Sequence, residues 1–116
     1  MGERTASYMK SILPIELIRR EDPSDSLSAN TVLLFLYVMQ YPDRTIKELE
    51  RLTGITKSAT SRHVLNLTER GDRARARPGL GLVETYEDAI DSRSKRVRLT
   101  SKGKRLKQDI DKVLLA

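Results

Sequence analysis

Apolar residues in this chain recur with two spacings, one typical of helices and one typical of strands. The longest apolar run, residues 32–39, follows Ser28, a good helix cap, and predicts a buried central helix over residues 28–40. An earlier helix is predicted over residues 7–20, where Pro14 either kinks the helix or restarts it. A polar loop separates these two helices.

A pair of short helices is predicted next. Three apolar residues at helical spacing predict a helix over residues 45–53, which Gly54 ends. Thr56 caps the following helix, predicted over residues 57–71 from that cap to a terminal glycine. Two short helices joined by a glycine-bearing turn predict a helix-turn-helix.

The apolar period then changes from helical to strand-like. Residues 82–86 predict one strand. Val97 and Leu99 alternate with basic residues and predict a second strand with one buried and one solvated face. Thr100 stands at the N-cap of a closing helix over residues 101–115. The predicted fold class is therefore α+β, mainly helical with a small β-hairpin.

Composition restricts the class of protein. The chain has 116 residues, enough for one domain, and its 38% hydrophobic content supports a small core. It has no cysteine, and His63 is its single histidine, so we expect no disulfide, metal site or cofactor. The apolar run is too short to span a membrane and the N-terminus lacks the pattern of a secretory signal. We therefore expect a cytoplasmic protein that does not associate with membranes.

Positive charge is concentrated in the second half of the chain. The net charge is +6, but residues 1–50 carry six basic and eight acidic side chains, whereas residues 51–116 carry sixteen and eight. Residues 91–106 alone hold seven basic side chains and one acid. A basic strand that leads into a helix suggests a hairpin facing phosphate. The alternative is a solvated edge strand, on which lysine and arginine prevent aggregation.

The second helix of the helix-turn-helix has the residue types that suit a DNA major groove. Short hydroxyl side chains and basic residues lie near its N-terminal end: Lys57, Ser58, Ser61 and Arg62. A helix fits the groove, its N-terminal amides attract phosphate, and arginine forms a forked pair with guanine. The alternative is an ordinary amphipathic helix, although Ser and Thr are poor helix formers.

Catalysis has weaker support in the sequence. His63 and Ser61 are two positions apart on a helix, so their side chains point in different directions. Four carboxylates cluster in the predicted hairpin, but a hairpin offers no concave pocket. We therefore expect no enzymatic activity.

The order of elements and one motif resemble the winged helix of the MarR regulator family. The family pattern D-x-R-x5-L-T-x-x-G is matched at Asp91, Arg93, Leu99, Thr100 and Gly103. Residues 81–84 also resemble the G-L-V-E strand opening of that family. Residues 61–67 resemble the recognition helix of the ArsR family as well, so the wing motif distinguishes the two families.

The resemblance implies a winged helix-turn-helix fold and a set of DNA-contacting residues. The residues implied to face the major groove are Lys57, Ser58, Thr60, Ser61 and Arg62. Arg93 is implied to reach the minor groove or its phosphates, oriented by a charge-assisted hydrogen bond to Asp91. Phosphate contacts, which position a protein without reading sequence, are expected from Lys95, Arg96 and Arg98.

Two departures from the family limit the comparison. The connection from residue 71 to residue 82 is longer than in the family, so its arginines, Arg73, Arg75 and Arg77, have no family role. We expect them either to contact phosphates or to lie in a solvated loop. Family members continue into a long terminal helix beyond the point where this sequence stops, so a reduced dimer interface is expected.

We therefore expect a single winged-helix domain over residues 1–116. Its core is residues 27–100, and residues 1–26 and 101–116 are candidates for dimerisation. The expected function is a transcriptional repressor that binds double-stranded DNA sequence-specifically as a homodimer on a pseudo-palindromic operator. Alternatives are a protein-interaction module and a DNA-binding replication or assembly factor, because fold does not determine function. The sequence leaves open whether a small-molecule effector exists.

Overall fold

The computed structural model describes residues 7–22, 24, 27–72, 76 and 78–116. In order, the described elements are α1 Met9–Arg19, α2 Ala29–Gln40, β1 Arg44–Thr45, α3 Ile46–Thr53, α4 Lys57–Leu67, β2 Val83–Glu87, β3 Lys95–Leu99 and α5 Ser101–Leu114. All five predicted helices and both hairpin strands are present, so the predicted α+β class is confirmed. None of the described helices is long and apolar enough to cross a membrane.

Two helix predictions are refined by the structure. α1 is one helix that passes through the buried Pro14, rather than two. α4 was predicted to reach Gly71 but ends at Leu67, because Thr68 adopts an extended backbone. The carbonyls of Asn66 and Leu67 instead accept hydrogen bonds from the backbone N–H groups of Leu80 and Leu82, at 3.1 and 2.8 Å. The returning chain thus supplies hydrogen-bond donors to the last carbonyl groups of the helix.

The sheet has three antiparallel strands in the order β1-β3-β2. β3 is central and pairs with β1 through Arg44 opposite Val97 and Thr45 opposite Arg96. Its pairing with β2 places Glu84 opposite Arg98 and Glu87 opposite Lys95. β1 was not predicted, because two residues are too few to show a strand period.

The core lies around α2, as predicted from the apolar run. Phe35, Leu34 and Val38 of this helix are fully or almost fully buried. They belong to one cluster to which all four other helices, β2 and β3 contribute; among its members are Ile18, Leu49, Leu67, Val83, Val97 and Ile110. The helix-turn-helix and the hairpin are therefore fixed to one shared core.

Gly103 marks a close approach between α5 and the chain entering β2. Its N–H donates to Thr100 Oγ1 at 3.1 Å, which confirms the predicted N-cap. A Cβ placed on Gly103 would lie 2.0 Å from the backbone oxygen of Leu82. Thr100 Oγ1 also donates to the Gly81 carbonyl at 2.6 Å, so the same contact holds the start of the hairpin.

We expect Gly103→Ala to destabilise the fold, because the added methyl group meets backbone rather than a movable side chain. The free energy of unfolding should fall by about 1–3 kcal/mol, the usual range for overpacking. Urea denaturation of this variant, compared with Lys104→Ala on the exposed side of the same helix, measures the effect. Equal stability of the two variants would contradict the close approach.

Glu48 closes a capping box at the start of α3. Thr45 Oγ1 accepts from the Glu48 N–H at 3.0 Å, and the Glu48 carboxylate accepts from the Thr45 N–H at 3.4 Å. The hydrogen bond from Arg44, at 3.1 Å, is the main cause that lowers the pKa of Glu48 below its ordinary 4.5, and the Thr45 bond adds to it.

We expect this carboxylate to stabilise the fold at neutral pH and to lose that effect in acid. A pKa lowered by folding contributes stability above the unfolded value, and the contribution disappears as pH falls through the folded value. Glu48→Gln should therefore cost about 1 kcal/mol or less at pH 7, since the pair is exposed, and still less at pH 3. A stability difference that grows in acid would contradict this assignment.

Candidate nucleic-acid interface

α4 presents a polar N-terminal edge to solvent. Lys57, Ser58 and Ser61 are exposed and Arg62 is half-buried. Thr60, which was also expected at this edge, is fully buried, and its hydroxyl donates to the Ile55 carbonyl at 3.3 Å. That expectation was wrong, because Thr60 faces inward and holds the turn between α3 and α4.

His63 anchors α4 to the core. It is buried, and its Nδ1 lies 2.9 Å from the hydroxyl of Thr31 in α2. Ser61, two residues earlier, is exposed. The two side chains therefore lie on different sides of the helix, as their spacing predicts.

The turn of the hairpin holds the arginine of the family motif. Asp91 Oδ1 accepts from the Arg93 N–H at 3.1 Å and from Arg93 Nε at 3.3 Å. The expected contact between these residues is thus present. The Arg93 side chain nevertheless remains 91% exposed. It is therefore available at the tip of the wing, which is the β2–β3 hairpin over residues 83–99.

Two basic residues of β3 are paired with acids of β2. Lys95 Nζ lies 3.4 Å from Glu87, and Arg98 Nε donates to Glu84 at 2.9 Å. The Arg98 guanidinium also lies over the Tyr86 ring, 4.4 Å from its centre. Exposed ion pairs of this kind are weak. The basic side chains of β3 are nevertheless paired within the hairpin rather than free.

Arg96 faces solvent only in part, because its side chain is 31% exposed. Its Nε donates to Asp88 Oδ1 and its Nη1 donates to the Asp43 carbonyl, both at 2.7 Å. Nη1 also lies 3.9 Å from the Glu48 carboxylate. The hydrogen bond from Arg96 lowers the pKa of Asp88 and raises the pKa of Arg96. Two of the Arg96 donors, Nε and Nη1, are thus engaged within the protein, and the expected contact of Arg96 with phosphate stays a prediction.

A cationic cleft forms where α3, α4 and the hairpin meet. It encloses ≈ 390 Å³ and is lined by Thr45, Ile46, Lys47, Glu50, Lys57, Ser61, Arg93, Ser94 and Lys95. Four of these side chains are basic and one is acidic. Among the described acidic residues, none forms an ion pair with Lys47 or Lys57. The fold thus gathers cations from three separate segments.

Lys47 was missed by the sequence reasoning. It lies on the exposed side of the short α3, where a lysine next to Glu50 is ordinary for a solvated face. Only the meeting of α3 with α4 and the hairpin distinguishes it from other surface lysines. The loop arginines Arg73, Arg75 and Arg77 lie outside the described residues.

Comparison with protein-family models and with curated proteins found no match. Solved structures do match. A mutant MarR from E. coli complexed with operator DNA has a TM-score of 0.61 and 17% identity, and the match covers 92% of this chain and 69% of that one. A MarR transcriptional regulator from Methanosarcina mazei gives 0.64 and 22%, covering 90% and 68%.

A third similar structure is the transcriptional regulator Tm0710 from Thermotoga maritima. Its TM-score is 0.67 at 17% identity, and the match covers 92% of this chain and 66% of that one. This structural similarity agrees with the order of the helices and strands and with the three-stranded sheet. It also agrees with the family resemblance of the motif at the turn of the hairpin. The chain therefore has the winged helix-turn-helix fold of the MarR-family regulators.

Proposed function

We propose that this chain is a transcriptional regulator that binds double-stranded DNA. The observation that carries the proposal is the cationic cleft between the N-terminal end of α4 and the wing tip. Support comes also from the E. coli MarR structure of the same fold, which contains operator DNA. The four basic side chains of the cleft are opposite in charge to a phosphate backbone and can therefore bind it.

In this proposal α4 lies in the major groove. Its exposed Ser58 and Ser61 are short enough to let the helix approach the base edges, and Arg62 reads guanine by a forked hydrogen bond. Lys57 and Lys47 contact the phosphates that border the groove. Arg93 extends from the wing tip towards the minor groove or its phosphates, with Asp91 restricting its side chain.

The exposed face of α4 also favours DNA over a protein partner. It consists of serine, lysine and arginine and presents no aromatic anchor of the kind that dominates protein interfaces.

The proposed regulator binds DNA without catalysing a reaction. The exposed pairs at Lys95 and Arg98 exchange their acids for phosphates on binding.

We propose that the regulator acts as a homodimer and represses at a pseudo-palindromic operator. Large apolar side chains are exposed on α1 and at the end of α5: Tyr8, Met9, Ile12, Leu13, Ile15, Leu114 and Leu115. Lys10 Nζ donates to the Ala116 carbonyl at 3.2 Å, so the two helix ends lie side by side. A second copy covering this surface by two-fold symmetry presents two α4 helices to two half-sites.

We expect the chain to select a palindrome from a random pool of DNA duplexes and to bind it less tightly as salt rises. Arg62→Ala should lose about 1–3 kcal/mol of discrimination at one base pair of each half-site. Arg98→Ala, as a phosphate contact, should weaken binding to all duplexes alike. Fluorescence anisotropy on selected and scrambled duplexes measures both effects. Binding that is absent at low salt, or indifferent to salt, would refute the proposal.

We expect Ile12→Glu or Leu115→Glu to convert the dimer to a monomer, because each places a charge inside the proposed apolar interface. Sedimentation equilibrium measures the mass. Ile90→Glu is the control, since Ile90 is an exposed apolar residue at the turn of the wing, away from the proposed interface. A wild-type chain that sediments as a monomer at micromolar concentration, or equal loss of the dimer in the control, would contradict the assigned interface.

A further inference from the structure

The turn before β1 has an unusual backbone that depends on the wing. Asp43 has a φ of 62°, in the left-handed region that non-glycine residues rarely adopt. Its N–H donates to the Val97 carbonyl at 3.1 Å, and its Oδ1 accepts from the Tyr86 hydroxyl at 2.5 Å. Its carbonyl accepts from Arg96. Three bonds to the hairpin thus maintain one strained residue.

Arg96 is the centre of this junction. Its guanidinium reaches Asp88 beyond the end of β2, the Asp43 carbonyl before β1, and the Glu48 carboxylate of α3 at a longer distance. The Arg96 side chain is 31% exposed and that of Asp88 is 13% exposed. Arginine suits this position because its rigid planar group presents several donors at once. One side chain therefore links the wing to the first helix of the helix-turn-helix.

We propose that Arg96, Asp88 and Asp43 form a clamp that sets the angle of the wing relative to α3 and α4, so that Arg96 is a positioning residue. Its effect on DNA, through the placement of Arg93, rests on the proposed function. Its effect on the angle of the wing does not.

The wing is fixed to the core at its base, and it needs such a clamp because its attachments beyond the base are small. An isolated two-stranded hairpin is marginally stable in water, and β1 adds only two residues to the sheet. On the inner face of the central strand Val97 is buried in the core, and this anchors the base of the wing. Arg96 is the neighbouring residue on the other face. Together they restrain rotation of the hairpin about its base.

The next arginine on the same face provides a matched control. Arg98 pairs with Glu84 and covers Tyr86, so these contacts lie within the hairpin itself. Asp88→Ala and Glu84→Ala each remove one carboxylate that faces a wing arginine, and each raises the net charge by one. Asp88→Ala releases Arg96, whose other hydrogen bond, to the Asp43 carbonyl, joins the wing to the rest of the domain, whereas Glu84→Ala releases Arg98. Asp88 Oδ2 also accepts from the Asp91 N–H at 3.2 Å, so the variant of Arg96 itself tests the clamp most directly.

The angle of the wing is measured without DNA. The chain has no cysteine, so spin labels at Ser92→Cys and Arg51→Cys, both exposed, report one distance from the wing tip to α3. Labelled chain is diluted with unlabelled chain so that only intramolecular pairs contribute. We expect Asp88→Ala and Arg96→Lys to shift or broaden the distance distribution, and Glu84→Ala to leave it unchanged. An unchanged distribution in Arg96→Lys would overturn the clamp.

DNA binding supplies the second readout, with the duplex selected from the random pool as probe. Charge alone predicts that both Asp88→Ala and Glu84→Ala bind more tightly. The clamp predicts that Asp88→Ala binds more weakly, by roughly three- to tenfold, while Glu84→Ala does not. In an Arg93→Ala background the loss caused by Asp88→Ala should disappear, because the clamp acts through Arg93.

Arg96→Lys distinguishes a clamp from a simple charge contact between Arg96 and phosphate. It retains the positive charge, so a simple phosphate contact predicts nearly normal affinity, whereas the clamp predicts a loss similar to that of Asp88→Ala. Circular dichroism and thermal unfolding establish that each variant is folded at the temperature of measurement. Tighter binding by Asp88→Ala would overturn the positioning role. If no duplex is bound at all, the proposed function fails, and the spin-label distances still decide whether the clamp exists.

Discussion

The pairing of β2 with β3 is the constraint on which the surface of this protein depends. Its register places Glu84 opposite Arg98 and Glu87 opposite Lys95. A shift of one residue would turn every side chain of the strand to the other face, which would bring Arg96 and Arg98 into the core and move Val97 into solvent. The burial of Val97 opposes that shift. One buried valine thus determines which charges the wing pairs internally and which it leaves available.

The consequence is that the net charge of +6 is distributed differently in space than along the chain. The basic residues of β3 are matched by acids that lie on β2 or just beyond it, while Lys47 and Lys57 converge with Arg93 and Lys95 on the cleft. Clefts lined by one sign of charge concentrate the field and raise the local density of counter-ions. This cleft gathers basic side chains from three segments, and two of them, Lys47 and Lys57, form no ion pair with a described acidic residue.

Local signals were sufficient to predict most of the fold. Caps at Ser28, Thr56 and Thr100 placed three helix starts correctly, because a cap is recognised within one turn of the chain. The end of α4 was misplaced because a distant segment decides it: the chain near Leu80 returns to the last carbonyls of the helix, and no local pattern reports that contact. Thr60 was misplaced although its partner is near in sequence, because its polar hydroxyl suggested an exposed position, whereas it faces inward and donates to the Ile55 carbonyl.

The residues of the site differ in whether their contacts follow from the local sequence or only from the fold. Arg93 and Asp91 are two positions apart, so their contact follows from the motif itself. Arg96 and Asp43 are 53 positions apart and meet only because the short β1 joins the sheet beside β3. A motif therefore identifies the residue that extends from the wing tip, whereas the three-dimensional structure identifies the residues that hold the wing. Affinity gained by preorganisation depends on the second group as much as on the first.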